Sequence, residues 1–197
     1  MMIAVMAVAC LTANAQNSRH DAGSFTIQPM VGLSGGNLRG EYSTNGSTIK
    51  YDNDEYRWGV VAGAEAEYYT STHWLTISGA VLYQQMGWKF KNASTWKADF
   101  INIPILANFY VAKGFALKAG LQPGFLVSAK VDGVNFKDDC NTFNLAIPLG
   151  LSYEFANGIT LDLRGFASVT NLLKDSGNTK WYNDGGMLTV GYKFELK

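Results

Sequence analysis

The groups in this chain with spacing suited to chemistry are carboxylates and bases on alternating positions. Glu65 and Glu67 flank Ala66, and Asp162 and Arg164 flank Leu163, while Lys118, Glu154 and Lys193 each sit between apolar neighbours. Residues two apart on a strand point to the same side, so these groups belong to the polar faces of strands whose other faces are greasy. Four acids and three bases at similar depth can pair across a narrow lumen, where they would plug it, gate it or select ions. General acid–base catalysis is not expected, because it needs a group within hydrogen-bond reach of its partner. The only histidines are His20 and His73. His20 falls in a polar leader, and His73 reads as a solvated residue of a tight turn.

The remaining motifs carry little chemistry. Residues 32–40 are glycine-rich, but their spacing fits neither nucleotide fingerprint and no helix follows; glycines easing strand curvature into a loop explain them. Asp52, Asp54 and Glu55, and Asp138 with Asp139, could offer oxygen ligands to a divalent cation, and read instead as solvated loop carboxylates. Asn45-Gly46-Ser47 and Asn92-Ala93-Ser94 match the glycosylation tripeptide, to which no weight is given. No catalytic residue, metal or cofactor is expected.

The elements that must position these groups are long alternating strands. Around the turn Ala112-Lys113-Gly114, residues 101–111 and 115–131 each show one apolar parity, as in Ile101, Ile103, Ile105, Phe109 and Leu117, Leu121, Phe125. A period of two over ten or more residues is a β-strand with one greasy face. Such strands exceed the usual soluble length and match the roughly 9–11 tilted residues that cross a bilayer as β-structure. Further strands are predicted at 24–38, 57–69, 74–86, 142–155, 159–171 and 186–194. The polar segments 39–56, 87–99, 132–141 and 172–185 alternate with tight turns. Eight antiparallel strands with all long loops at one end make an up-and-down barrel, the layout of bacterial outer-membrane barrels.

Alternation alone does not say which face is outside. On the apolar face, Phe25, Tyr68, Phe109, Phe115, Tyr153, Phe155, Tyr192 and Phe194 lie near the short turns and termini. Trp58, Tyr83, Phe125 and Phe143 lie toward the long loops, with aliphatic residues between. Two aromatic girdles around an aliphatic band are what membrane interfaces select. On a lipid face the seven charged groups would cost on the order of 2–4 kcal/mol each near the midplane; in an eight-stranded lumen they fill the interior. The greasy face is therefore expected to point outward.

Residues 1–15 read as a signal peptide, an apolar run closing on the small-x-small pattern Ala13-Asn14-Ala15, although no Lys or Arg precedes the run. Residues 16–23 form a polar leader, and 24–197 the barrel domain. Cys10 follows a poor lipobox, and Cys140 reads as an incidental loop thiol. A formal net charge of zero excludes the basic field of a nucleic-acid binder, and no run of 18 apolar residues offers a transmembrane helix.

Phe100-Ile101-Asn102-Ile103-Pro104-Ile105-Leu106, Leu161-Asp162-Leu163-Arg164-Gly165-Phe166 with Thr170-Asn171-Leu172, and the closing Gly191-Tyr192-Lys193-Phe194 resemble the small outer-membrane β-barrel proteins of Bacteroidetes, often labelled porin family. More distantly, the chain is similar to outer-membrane-protein-X and OmpA-type barrels. The resemblance implies an outer-membrane location in a Gram-negative bacterium, contact with lipid and lipopolysaccharide, and handling by the barrel-assembly machinery through a terminal strand ending in Phe, here followed by Glu195-Leu196-Lys197. A monomer is expected, with a structural or surface-interaction role and Trp88, Trp96 and Trp181 as loop contact points for an extracellular ligand. The competing readings are a narrow porin-like channel, a lipid-modifying barrel enzyme and a secreted lipocalin-like carrier.

Overall fold

The computed structural model describes residues 19–44, 47–52, 57–72, 74–89, 95–174 and 179–196. The expected signal peptide, His73, Asp54, Glu55, the first two residues of the tripeptide at 45–47 and all of the tripeptide at 92–94 lie outside the described residues.

The alternating runs form strands β1 (Phe25–Thr44), β2 (Ser47–Asp52), β3 (Arg57–Tyr69), β4 (Leu75–Lys89), β5 (Thr95–Asn102), β6 (Ile105–Ala112), β7 (Phe115–Val131), β8 (Val134–Asn135), β9 (Phe143–Glu154), β10 (Ile159–Ser168), β11 (Thr179–Tyr192) and β12 (Phe194–Leu196). β5 and β6 are two halves of one stave, broken at Ile103-Pro104, and β11 and β12 are two halves of the last. Each stave pairs antiparallel with its sequence neighbour, and β1 pairs with both β11 and β12. The sheet thus closes on itself as an eight-strand antiparallel barrel. Closure leaves no first or last stave with an open side among the described residues, as a spanning β-structure requires because hydrocarbon offers no partner to a bare N–H or C=O.

The faces fall as the alternation implies. Val31, Leu33, Val81, Ile105, Leu149 and Leu163 point out and are roughly half exposed, while Glu65, Lys118, Asp162 and Arg164 are buried inside. The inward, lipocalin-like arrangement of the greasy face is thereby overturned. All the aromatics expected on the outer face lie there: Phe25 packs on Tyr68 at 4.7 Å, Phe125 on Phe143 at 5.8 Å, Tyr153 on Phe155 at 4.9 Å and Tyr192 on Phe194 at 4.7 Å between ring centroids. Trp58 and Tyr83 are exposed. Phe109 stacks on Trp74, and Phe115 is half-buried on the same face.

In three of the expected long loops much of the described chain is strand. β1 runs on to Thr44 and folds back on β2, with Arg39 opposite Asp52. β4 and β5 stay paired to Lys89 and Thr95. β11 starts at Thr179 rather than 186. Polar composition suggested loops because both faces of these extensions lie beyond the greasy band, so the alternation that reveals a half-buried strand is absent. The segment after β7 also begins as a hairpin. Asp132 and Gly133 have φ of 49° and 88°, the positive pair of a two-residue turn for which Asp-Gly is well suited, and Val131 pairs with Val134.

One parity expectation fails for a local reason. Asp99 pairs with Ser128 but Phe100 with Leu126, so Val127 is an extra residue, and this bulge turns Ala129 inward, where it is buried. Above the charged level the interior carries two apolar layers, with neutral polar side chains such as Gln84, Asn102, Gln122 and Asn144 buried beside them. Met30, Val61, Ala80, Leu82 and Met187 form one layer. Met86, Phe100, Leu126, Ala146, Phe166 and Leu172 form a second, toward the long-loop end.

Replacing the fully buried Phe100 with Ala is expected to lower unfolding stability by about 3–5 kcal/mol, measured by urea titration of the barrel in lipid vesicles. Ile101→Ala on the adjacent outward position is expected to cost clearly less. Equal losses would contradict the assignment of faces.

Candidate functional site

The two-residue spacing on β3 and β10 aims Glu65, Glu67, Asp162 and Arg164 inward, and β7 and β9 bring Lys118 and Glu154 to the same half of the interior. Lys193, between β11 and β12, completes the set. All seven are buried. Lys118 Nζ lies 2.6 Å from Glu65 Oε1 and 2.8 Å from Asp162 Oδ2. Arg164 donates from Nε to Asp162 Oδ1 at 2.7 Å and from Nη2 to Asp162 Oδ2 at 2.8 Å, and Nη2 also reaches Glu65. Two acids and two bases from three strands, β3, β7 and β10, therefore form one closed quartet. The guanidinium suits this use because its planar fork stays charged and grips a carboxylate with two donors.

A second group lies nearer the short turns. Lys193 Nζ sits 2.6 Å from Glu67 Oε2 and 3.3 Å from Glu154 Oε2, and donates to the hydroxyls of Tyr69 and Tyr110 at 2.9 Å each. Glu67 also accepts from Tyr110 at 2.9 Å, from Asn108 at 3.1 Å and from Thr76. Several donors around one carboxylate offset the cost of burying it. Of the seven, the structure brings four into the quartet and three into this group.

Gly150 makes room for the quartet. A Cβ there would lie 2.8 Å from Arg164 Cγ and 2.6 Å from the Leu163 carbonyl oxygen, so the guanidinium stem lies across bare backbone. The other polar valences are not all used: Arg164 Nη1, Gln84 Nε2 and Gln122 Oε1 are buried without a hydrogen-bond partner.

The tryptophans expected as loop contacts stand elsewhere. Trp96 is on β5 and Trp181 on β11, both packed against the apolar layer at the long-loop end, with Trp96 edge-on to Phe136 at 5.0 Å. They are cross-strand packing residues because the segments that carry them extend the barrel wall. Trp88 lies on β4 opposite Trp96 in register. Cys140, expected as an incidental loop thiol, is buried in the same apolar layer; burial first, then the neighbouring Asp139 charge, pushes its thiol up to about 11, so it is a poor nucleophile at neutral pH. Among the described residues no group of three His, Cys, Asp or Glu side chains could hold a metal.

Two clusters had no signal in the sequence. Arg39 donates to Asp184 at 2.8 Å, to Glu41 at 3.1 Å and to the Ser168 carbonyl at 3.3 Å, and lies over the Tyr182 ring at 4.6 Å. It rivets β1 to β10 and β11 where the barrel closes. His20 is not in free solvent: its ring nitrogens reach Glu154 and Glu195. Both depend on residues more than 125 positions apart, a separation that no local spacing betrays.

With this geometry in place, the class of protein can be stated. Residues 14–174 match the family model described as "Outer membrane protein beta-barrel domain", and the chain belongs to that family. Among solved structures it is similar to Ail, the attachment invasion locus protein of Yersinia pestis, at 16% identity and a TM-score of 0.50, covering 88% of this chain and 100% of Ail. Neisserial surface protein A matches at 15% identity and a TM-score of 0.48, over 86% of this chain and 97% of its own. OprG from Pseudomonas aeruginosa matches at 13% and 0.47, over 92% and 99%. At these identities the likeness is one of fold. No curated protein matches the chain in sequence.

Arg164→Met leaves two buried carboxylates short of a partner and is expected to cost about 3–5 kcal/mol of unfolding stability. Adding Glu65→Gln is expected to cost less than the sum of the two single changes. Strict additivity in a double-mutant cycle would mean that the two groups do not interact.

Proposed function

We propose that this is a non-enzymatic outer-membrane barrel of a Gram-negative cell, closed through its lumen, which acts by what its long-loop end presents outside. The reading rests on the buried quartet of Glu65, Lys118, Asp162 and Arg164, ion-paired at 2.6–2.8 Å from three strands with apolar layers above it. An eight-stranded interior holds little more than side chains, and here side chains occupy successive levels of it. A structural or surface-interaction role then falls to the outer rim. Its hairpin tip at Asp132-Gly133-Val134, where Val134 is 71% exposed, is a better contact point than Trp96 or Trp181, which are engaged in packing.

In this proposal residues 1–15 are removed on export, the short turns and both termini face the periplasm, and the girdles contact lipid and lipopolysaccharide. The barrel works as a monomer, is assembled by the barrel-assembly machinery, and takes an extracellular ligand at its rim. The kinship with small Bacteroidetes barrels read from the strand motifs belongs to the same proposal. The second reading is a narrow channel for ions or small solutes, favoured by the unpaired polar valences of Arg164, Gln84 and Gln122 inside the barrel.

The test is single-channel recording of the folded protein, with heat-modifiable gel mobility confirming the barrel. A silent bilayer is expected for the native protein. Steady discrete openings whose size shifts when Arg164 is replaced would establish the channel instead. Intact-mass measurement of protein from the outer membrane is expected to place the first residue at Gln16.

A further inference from the structure

Residues 19–23, the described part of the leader, do not trail from the barrel; they cross the short-turn mouth. Gly23 N–H donates to the Tyr69 carbonyl at 2.7 Å, and Tyr69 N–H donates back to Ser24 at 3.0 Å. Arg19 Nε donates to the Glu154 carbonyl at 2.8 Å. Between these anchors the His20 ring packs on Tyr69 at 4.9 Å. Its Nε2 lies 2.9 Å from Glu154 Oε1 and its Nδ1 3.1 Å from Glu195 Oε2.

That double contact decides the charge of the ring. An ionised carboxylate only accepts hydrogen bonds, and a neutral imidazole has one N–H and one bare nitrogen. A neutral His20 could satisfy one of the two acids and would turn a lone pair on the other. Both contacts are met only by imidazolium. The buried groups point the same way: Glu65, Glu67, Glu154 and Asp162 face Lys118, Arg164 and Lys193, leaving one carboxylate in excess. His20 supplies the missing cation from outside the barrel strands.

We infer that His20 is a pH-operated latch: as imidazolium it clamps the leader across the periplasmic mouth of the barrel, and loss of its proton releases that strap. The charged groups around it agree. Glu154 from β9 and Glu195 from β12 hold the proton, Lys193 beside them opposes it, and Arg19 and Lys113 lie on the rim of the same recess. Tyr69 from β3 covers one face of the ring. Burial alone would lower the pKa of His20, but the hydrogen bonds to Glu154 and Glu195 and the Glu154 charge outweigh it, and the net displacement is upward from 6.5. A raised folded-state pKa means that the clamp is fully present below the ordinary imidazole value and is lost as pH rises through the raised one. The released state leaves the carboxylates of the mouth facing the periplasm with one cation fewer.

The test uses the chain from Gln16 onward in lipid vesicles, with Cys140 replaced by serine and a nitroxide spin label on Asp21→Cys. Heat-modifiable mobility confirms that each variant is a folded barrel. The label is expected to be immobilised well below pH 6.5 and to shift to a mobile spectrum at a midpoint above it. His20→Lys keeps a permanent cation between the two acids and is expected to stay immobilised throughout; His20→Gln is expected to be mobile throughout. An unchanged native spectrum across the range would overturn the proposal, as would a pH transition that survives in His20→Lys or His20→Gln. In a His73→Gln variant, where His20 is the single histidine, ring titration by NMR is expected above 6.5; a midpoint at or below it overturns the latch as well.

Discussion

Closing eight strands into a cylinder creates an interior too narrow for bulk water and too long to leave empty. Each inward side chain must therefore be accommodated by the others, while the outward ones face hydrocarbon. The protein meets this constraint in two ways along one axis. Near the short turns it pairs acids with bases, and toward the long loops it packs Met86, Phe100, Leu126 and Phe166. The ionic half is held by geometry: Arg164 spans Asp162 and Glu65 only because Gly150 offers no Cβ beneath its stem.

The ionic interior is not evidence of stability by itself. Burying an ion pair costs desolvation that its mutual attraction often only balances. What such a network does enforce is register. Slipping one stave by a single residue would turn Asp162 and Arg164 to the lipid and Leu163 to the lumen, with every neighbour affected. The pairing of Lys118 with acids from β3 and β10 thus specifies how the staves are aligned as much as it holds them together. Arg39 repeats the device at the closing seam, where β1 meets β11.

Much of this was legible in the residues. The outward parity of Phe143, Leu145, Ile147, Leu149 and Leu151 announced a long strand, and the carboxylates of Glu65 and Glu67 announced the lumen side. The structure adds what alternation cannot carry. The extensions of β1, β4 and β11 rise past the greasy band, so neither parity stays apolar and their sequences look like loops. Phe100, Leu126 and Phe166 are apolar residues on the polar parity, which hid the second, greasy half of the interior. Val127 shifts the parity of β7 through a bulge that has no glycine or proline of its own to mark it. His20 acquires its partners only when the chain has closed.

The division of the interior into an ionic half and a greasy half has a directional consequence for entry into the membrane. A barrel whose short-turn end stays behind must send its other end across the hydrocarbon first. The lumen of that leading end is lined by thioether, phenyl and aliphatic groups and by neutral amides and hydroxyls such as Asn102, Asn144 and Ser168, and the seven charged side chains ride in the trailing half. They come to rest near the surface at the short-turn end without traversing the far leaflet. The same amino acids placed in the opposite half would force each of them through the full thickness of the bilayer, so the axial order of the core favours one direction of insertion over the reverse.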